Sequence, residues 1–267
     1  MDVLDGRKIN SDLRPLVISA PEPRSLELIF TSAQLDALVS TYRIVECSAE
    51  QVPNLPESTL AEAHYIIGQP ALDGEAIAKL KSLRCIFNVE SNLINNMPYE
   101  VLFSRGIHVV TTGAVFAEPV AEIGLCFALD LARGVIGADR DFRAGREKWG
   151  GEGNVSAELL SGADVGIIGF GEIGRTLNRL LAGFRCNVRV FDPWLPKSQM
   201  KAAGVTSASL DEVLELSDYV FVLAAVTSEN QGFLNKEVFA RMRPGAAFIL
   251  LSRADVVNFD DLMDAVQ

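Results

Sequence analysis

The chain has 267 residues, 49% of them hydrophobic and 22% charged, and its formal net charge at pH 7 is −11. This length and composition predict a globular protein with two domains of ordinary size. The negative charge argues against nucleic acid or an anionic membrane as a partner, because both require a basic face. The N-terminal segment MDVLDGRKINSDLRP lacks the apolar core of a secretion signal, and the longest apolar runs are too short to span a bilayer. We therefore expect a cytoplasmic protein.

The first block of the sequence, residues 1–117, alternates short apolar runs with helical stretches. Its predicted helices are Ser32–Ser40 and Asp73–Ser82. Its predicted strands are Leu26–Phe30, Tyr42–Cys47, His64–Gly68, Arg84–Val89 and Ile107–Thr111. Such alternation is typical of an open α/β domain in which helices cover both faces of a parallel sheet.

The segment that joins the first block to the second is itself predicted to be helical. In Pro119–Arg133 the apolar residues recur at helical spacing, and Pro119 is expected in the first turn, where a missing N–H is tolerated. A second helical piece is predicted from Phe142 to Trp149. We place the second domain at residues 118–267, with the linking helix at its start.

A glycine-rich turn opens the second block. Ala163–Phe170 reads ADVGIIGF, a continuous apolar strand, and leads directly into a G-x-G-x-x-G frame formed by Gly169, Gly171 and Gly174. In such a frame the first glycine permits the tight turn, and the second lets the backbone approach a pyrophosphate. The third lets the helix pack closely on the strand. The predicted helix, which starts near Glu172, directs its N-terminal N–H groups at the phosphates.

A carboxylate follows the next predicted strand. That strand reads NVRVFD and ends at Asp192, about 20 residues beyond the glycine frame. A carboxylate at this position accepts hydrogen bonds from both hydroxyls of an adenosine ribose and repels a 2′-phosphate, and no Lys or Arg follows before Lys197. The sequence therefore predicts NAD as the cofactor and argues against NADP. The alternative interpretation is that Asp192 only caps the turn before Pro193.

The rest of the second block continues the alternation. Its predicted helices are Leu210–Leu216 and Lys236–Met242, and its predicted strands are Asp218–Ala225 and Ala246–Ser252. A last helix is predicted from Phe259 to Gln267. The second block thus holds four or five strands, where a dinucleotide-binding fold has about six.

The sequence resembles the D-isomer-specific 2-hydroxyacid dehydrogenases over nearly its whole length. The matching segments are, in order, SRGIHVVTT, EPVAEIGLCFALDLAR, the single residue Trp149, DVGIIGFGEIG with FDP, and SDYVFVLAAVTSENQGFLNKEVFARMRPGAAFILLSRADVV. The resemblance implies two open, doubly wound parallel-sheet domains: a flavodoxin-like substrate domain and then a Rossmann domain that binds NAD. It also implies a homodimer, because Pro119–Arg133 is similar to the segment through which family members dimerise.

The resemblance also assigns candidate site residues. Arg253, in the segment LLSRA, matches the arginine that binds the substrate carboxylate and polarises its carbonyl, a task that suits a planar guanidinium. Ser91-Asn92-Leu93 matches the loop that holds the carboxylate through backbone N–H groups, so Ser91 and Asn92 are candidate substrate-binding residues. The implied cofactor-binding residues are Gly169, Gly171, Glu172, Ile173, Gly174, Asp192 and Thr227.

The sequence departs from the family pattern on the substrate side. The family has glycine where Ser91 and Leu93 stand here, and Leu250 and Ala254 replace the Asn and Gly that usually flank the arginine. Glu172 places a carboxylate near the expected pyrophosphate, which is unfavourable unless the side chain points away.

No metal site is predicted. The four cysteines share no metal-ligand spacing, so we interpret them as buried structural thiols. They are Cys47, Cys85, Cys126 and Cys186.

Two classes of function remain open from the sequence. The first is an enzyme that transfers a hydride between nicotinamide and a small D-2-hydroxy or 2-keto acid. The second is a non-catalytic NAD-binding regulator or corepressor, because a shared fold does not decide function. The family's catalytic Glu and His distinguish the two classes, and both match positions beyond residue 267. His64 and His108 are the only histidines in the sequence, and a structural role is the simpler interpretation of each.

Overall fold

The computed structural model of the protein describes residues 13–91, 93–227 and 229–266. Contacts divide the chain into two compact units, with the boundary between Thr112 and Gly113. The sequence analysis placed this boundary after residue 117, because it expected the linking helix to begin near Pro119. The helix begins at Gly113 and holds Pro119 in its interior, so the prediction of a first-turn proline was wrong. Pro119 has no N–H to donate within the helix, and beyond it the buried residues Ala121, Ala128 and Ala132 pack into the core of the second unit.

The first unit contains a five-stranded parallel sheet with the order β2-β1-β3-β4-β5, which is the flavodoxin-like order. The strands are β1 (Leu16–Ala20), β2 (Arg43–Glu46), β3 (Ala63–Gly68), β4 (Cys85–Phe87) and β5 (His108–Val110). The helices are α1 (Leu26–Ile29), α2 (Ser32–Thr41), α3 (Glu57–Glu62), α4 (Gly74–Lys79) and α5 (Tyr99–Ser104). Ile18 and Ile66 belong to one core cluster, and their neighbours Val17 and Ile67 belong to another. Since adjacent strand residues point to opposite faces, both faces of this sheet are covered.

The start of the first unit differs from the prediction. Leu26–Phe30, predicted as a strand, contains the short helix α1, in which Leu26 is buried and Leu28 is 78% exposed. The sequence analysis missed β1, whose five residues are all buried and which pairs with both β2 and β3. A short apolar run does not by itself distinguish a strand from a helix, and here the run that pairs with the sheet is Leu16–Ala20.

The second unit contains a second five-stranded parallel sheet, with the order β10-β9-β6-β7-β8. The strands are β6 (Asp164–Ile168), β7 (Asn187–Phe191), β8 (Thr206–Ser207), β9 (Tyr219–Val222) and β10 (Ala247–Leu250). The helices are α6 (Gly113–Arg133), α7 (Val135–Arg143), α8 (Glu172–Leu181), α9 (Lys197–Ala202), α10 (Leu210–Glu215), α11 (Lys236–Phe239) and α12 (Phe259–Ala265). Counted within the unit, the strand order is 3-2-1-4-5, which is the Rossmann order for the strands described.

The helix after α6 lies earlier than predicted. The sequence analysis placed it at Phe142–Trp149, whereas α7 spans Val135–Arg143. Gly134, with φ +63°, separates α6 from α7, and the Asp130 carboxylate accepts a hydrogen bond from the Ile136 amide at the start of α7. None of the residues of α7 is buried.

The membrane prediction can be compared directly with the helices. Over the described ranges, no helix combines the length and the apolar character needed to cross a membrane. The predicted absence of a secretion signal concerns a segment that lies largely outside the described residues.

Candidate functional site

The glycine frame lies where the strand order of the second sheet reverses. Strand β6 pairs with β7 on one side and with β9 on the other. The chain therefore continues from β6 to β7 in one direction across the sheet, and from β9 to β10 in the opposite direction. In open α/β sheets ligands bind outside the carboxyl ends of the strands at such a switch point. Gly169 follows β6 there with φ +92°, and a Cβ on it would lie 2.7 Å from the backbone nitrogen and Cα of Ala224, just after β9. Only glycine fits both the turn and the close approach.

The other two glycines divide their tasks as the sequence predicts. A Cβ on Gly174 would lie 2.8 Å from the Gly169 carbonyl oxygen, so this glycine lets α8 pack on the turn. A Cβ on Gly171 would have no described atom within 4 Å, which leaves open space beside the backbone. Gly171 is the N-cap of α8, and no side chain of the described residues caps that helix. The first N–H groups of a ten-residue helix therefore adjoin this space, an arrangement that suits a pyrophosphate.

Asp192 follows β7 and contacts the glycine turn directly. Its Oδ2 accepts a hydrogen bond from the Phe170 amide at 2.8 Å, and its Oδ1 accepts one from the Trp194 amide at 2.9 Å. Asp192 therefore caps its own turn, as the alternative interpretation expects, and it also binds the glycine turn. A carboxylate offers about four acceptor positions, so two remain for the hydroxyls of a ribose. The sequence analysis missed the bond to Phe170, for which the sequence contains no local pattern.

The remaining predicted cofactor residues lie at the same edge of the sheet. Glu172 is the first residue of α8 and is exposed, and Ile173, which follows it, is half-buried. Thr227 follows β9 and is exposed. The Thr227 amide donates to Oδ1 of Asn230 at 2.7 Å, and the Asn230 side-chain amide donates to the Ala225 carbonyl at 2.7 Å. Asn230 thus holds the turn that carries Thr227, a contact that the sequence analysis did not predict.

Arg253 follows β10, the strand next to β9. The Leu251 amide donates to the Val222 carbonyl at 3.0 Å, and the Ser252 hydroxyl donates to the Ala224 carbonyl. These bonds join the end of β10 to Val222 and Ala224, and the backbone of Ala224 lies beside Gly169. Arg253 is exposed and stands at the N-cap of a short 3-10 helix, Ala254–Val256. The structure therefore places Arg253 at the same sheet edge as the glycine turn.

The candidate substrate loop of the first unit follows β4. Ser91 is half-buried, and Leu93 is 46% exposed. Asn92 lies outside the described residues. Glu90, just before Ser91, forms an ion pair with Arg24, whose Nη2 lies 3.3 Å from Oε1 of Glu90. The positive charge of Arg24 is therefore next to the Glu90 side chain at the start of the loop. The sequence analysis did not anticipate this ion pair, because Arg24 and Glu90 are far apart in the chain.

The two histidines lie away from the carboxyl ends of their strands. His108 is the first residue of β5 and is level with Cys85, the first residue of β4. The His64 carbonyl accepts a hydrogen bond from the Arg84 amide, which precedes β4. The candidate loop at Ser91 follows the opposite end of β4. Both histidines therefore lie at the end of the sheet away from the candidate loop. His108 is exposed, and the buried Nδ1 of His64 has no hydrogen-bond partner among the described residues, so a structural role stays a prediction for each.

The four cysteines were predicted to be buried, and this holds fully only for Cys85. Cys85 is buried, Cys47 and Cys186 are half-buried, and Cys126 is exposed on α6. Burial raises the pKa of the thiols of Cys47, Cys85 and Cys186, so their thiolate forms are disfavoured at neutral pH. Cys126 is exposed because Ala and Gly residues occupy the inward face of its helix.

The switch-point turn, the uncapped helix and the carboxylate after β7 define a dinucleotide-binding Rossmann unit. Residues 125–267, more than half of the chain, match the family model described as D-isomer specific 2-hydroxyacid dehydrogenase, NAD binding domain. The chain belongs to the D-isomer-specific 2-hydroxyacid dehydrogenase family, and its second unit contains the NAD-binding domain. The predicted fold class and the predicted cofactor are both confirmed.

Three similar proteins show the range of the family. The crystal structure of a phosphoglycerate oxidoreductase from Rhizobium etli is 60% identical, with a TM-score of 0.85, and the match covers 95% of this chain and 76% of that one. D-3-phosphoglycerate dehydrogenase from Mycobacterium leprae is 27% identical over 78% of this chain and 38% of that protein. Glyoxylate reductase from Pyrococcus furiosus is 28% identical over 73% of this chain and 59% of that protein. The chain therefore spans less than two thirds of the length of these two curated relatives.

Proposed function

We propose that the protein is an NAD-dependent oxidoreductase that transfers a hydride between nicotinamide and a small D-2-hydroxy or 2-keto acid. One observation carries this proposal. The Ser252 hydroxyl, next to Arg253, donates a hydrogen bond to the carbonyl of Ala224, and the backbone of Ala224 lies beside Gly169. An arginine at the edge that receives the dinucleotide can bind an acid substrate close to the cofactor. When bound, NAD supplies the hydride acceptor or, as NADH, the hydride donor.

The residues of this chain bind and orient the reactants. The Gly171 backbone and the first N–H groups of α8 would hold the pyrophosphate, and Asp192 would accept hydrogen bonds from the adenosine ribose. The Arg253 guanidinium would donate two parallel hydrogen bonds to the substrate carboxylate. By the family resemblance, Ser91 and Asn92 of the first unit stay candidate substrate-binding residues. Such alignment of donor and acceptor is the protein's main contribution to the transfer.

The names of the relatives indicate which substrates to test. Two of these names give glyoxylate, a small 2-keto acid, and 3-phosphoglycerate, a phosphorylated 2-hydroxy acid. Pyruvate and hydroxypyruvate are added as further small 2-keto acids. The experiment follows NADH oxidation with each keto acid, or NAD reduction with 3-phosphoglycerate, in steady state. NADH binding without turnover of any of these acids would contradict the oxidoreductase and favour the NAD-binding regulator.

A homodimer is the second part of the proposal, and the two faces of α6 support it. Ala121, Ala128 and other small residues face the core of the second unit. The large residues Ile123, Phe127 and Leu131, spaced by four, are 42% to 53% exposed and form a stripe on the outer side. Helices of monomeric proteins usually show the reverse pattern, with the large apolar residues inward.

Helix α7 continues this apolar surface. Val135 and Ile136 are each 57% exposed and Phe142 is 63% exposed, and the helix buries none of its residues. A second copy of the chain is the proposed cover, because a two-fold axis lets one such surface pair with itself.

A cytoplasmic location is also proposed, and the four free thiols are typical of a reducing compartment.

A further inference from the structure

Trp194 is a large aromatic residue that belongs to none of the core clusters of the described chain. It is 76% exposed and follows Pro193, which is exposed as well. A single exposed apolar side chain needs no explanation in itself. What distinguishes Trp194 is the hydrogen bond that holds its backbone.

The backbone of Trp194 is bonded to Asp192, the carboxylate proposed to bind the ribose. Its amide donates to Oδ1 of Asp192 at 2.9 Å, while Oδ2 of Asp192 accepts from Phe170. In adenosine the base is attached to the ribose carbon next to the one that bears the 2′-hydroxyl. Hydroxyls bound to Asp192 therefore place the adenine ring among the residues that flank this carboxylate.

Among the described residues, three aromatic side chains flank Asp192, and Trp194 is the most exposed of the three. Phe170 is fully buried, and Phe191 packs against a core cluster of the second unit. Trp194 is the exposed one. We propose that the Trp194 indole covers the adenine ring of the bound NAD and contributes to affinity by stacking.

Stacking on an aromatic ring predicts a specific pattern of substitutions. Trp194→Leu keeps an apolar side chain but removes the aromatic face, so the affinity for the adenosine half should fall about 5- to 150-fold. Trp194→Phe keeps an aromatic face and should stay within about threefold of wild type. The hydrogen bond to Asp192 comes from the backbone, so both variants retain it.

The test measures binding of ADP-ribose by isothermal titration calorimetry to wild type, Trp194→Leu and Trp194→Phe. ADP-ribose lacks nicotinamide, so a failure of the proposed hydride transfer does not affect this measurement. Circular dichroism should show the wild-type fold in both variants, since Trp194 is mostly exposed. Equal affinities for wild type and Trp194→Leu, or an equal loss in Trp194→Phe, would overturn the proposal.

Fluorescence gives a second readout that does not depend on affinity. The chain has two tryptophans, Trp149 and Trp194, so Trp149→Phe leaves Trp194 as the only indole, and Trp194→Phe leaves Trp149. Saturating ADP-ribose should change the emission of the Trp149→Phe variant and leave that of Trp194→Phe unaltered. An unchanged emission of Trp194 at saturation would contradict stacking.

Discussion

The Asp192 carboxylate binds the backbone of the glycine turn, because its Oδ2 accepts a hydrogen bond from the Phe170 amide at 2.8 Å. The residue that would recognise the ribose therefore also fixes the turn that would hold the pyrophosphate. Loss of this side chain should affect both halves of the adenosine site. A test of cofactor choice must separate these two effects.

We expect Asp192→Ala to weaken NAD binding by about 10- to 100-fold, since hydrogen bonds to a charged group contribute about 1.5–3 kcal/mol. NADP binding should weaken less, because the substitution also removes the charge that repels a 2′-phosphate. The measurement is the ratio of the dissociation constants for NADP and NAD, which general damage to the turn leaves unchanged. A wild-type protein that prefers NADP would show this assignment to be wrong.

Asp218 provides a matched control for Asp192. It precedes β9 at the amino edge of the same sheet, and its Oδ2 accepts a hydrogen bond from the Asp164 amide at 3.0 Å. Asp218→Ala should lower the free energy of unfolding and leave the NADP-to-NAD ratio unaltered. A shift of the ratio in this variant as well would mean that the ratio reports on general destabilisation.

The cofactor half of the molecule was the easier part to predict from the sequence. The roles of Gly169 and Gly174 follow from spacing within one strand-turn-helix unit, which is local in the chain. Strand β1 was missed, and Leu26–Phe30 was assigned to the sheet in its place, because the identity of this interior strand depends on its pairing with β2 and β3. The bond between Phe170 and Asp192 depends in the same way on two strand ends that meet only in the folded sheet.

Arg253 is the residue on which the proposed catalysis most depends. Arg253→Gln removes the charge and the paired donors, and kcat/KM for a keto acid should fall about 10²- to 10⁴-fold. The dissociation constant for NADH should change little, because Arg253 is assigned to the substrate. Steady-state kinetics and NADH titration measure the two quantities separately.

Arg241→Gln is the control for Arg253→Gln. Arg241 forms a surface ion pair with Asp211 in the same unit, and exposed pairs contribute little to stability. Its kcat/KM should stay within about twofold of wild type. Similar losses in the two variants, or an unaltered Arg253→Gln, would remove Arg253 from the proposed site.

The outer stripe of α6 predicts an interface that one charge can disrupt. Phe127→Glu would place two carboxylates near each other in a symmetric dimer and bury charge against apolar residues, so we expect a monomer at micromolar concentration. Light scattering coupled to size exclusion measures the mass. Val39→Glu, on α2 of the first unit, replaces another exposed apolar residue and should remain dimeric. A monomeric wild type would refute the interface.

Reduction of a keto acid requires a proton, and the last prediction is that neither His64 nor His108 donates it. His108 lies at the amino end of β5, and the carbonyl of His64 is bonded to the residue just before β4. A strand advances about 3.3 Å per residue, so His64, four residues before Gly68, lies roughly 13 Å from the carboxyl end of β3. A general acid must reach its acceptor within hydrogen-bond distance or through one water molecule.

We therefore expect His64→Gln and His108→Gln to keep kcat within about twofold and to leave the pH dependence of kcat/KM unaltered. Loss of a true general acid typically lowers the rate about 10²- to 10⁴-fold. A loss of that size in one variant, with an altered pH profile and an unchanged NADH affinity, would identify that histidine as the donor and contradict the placement of the site.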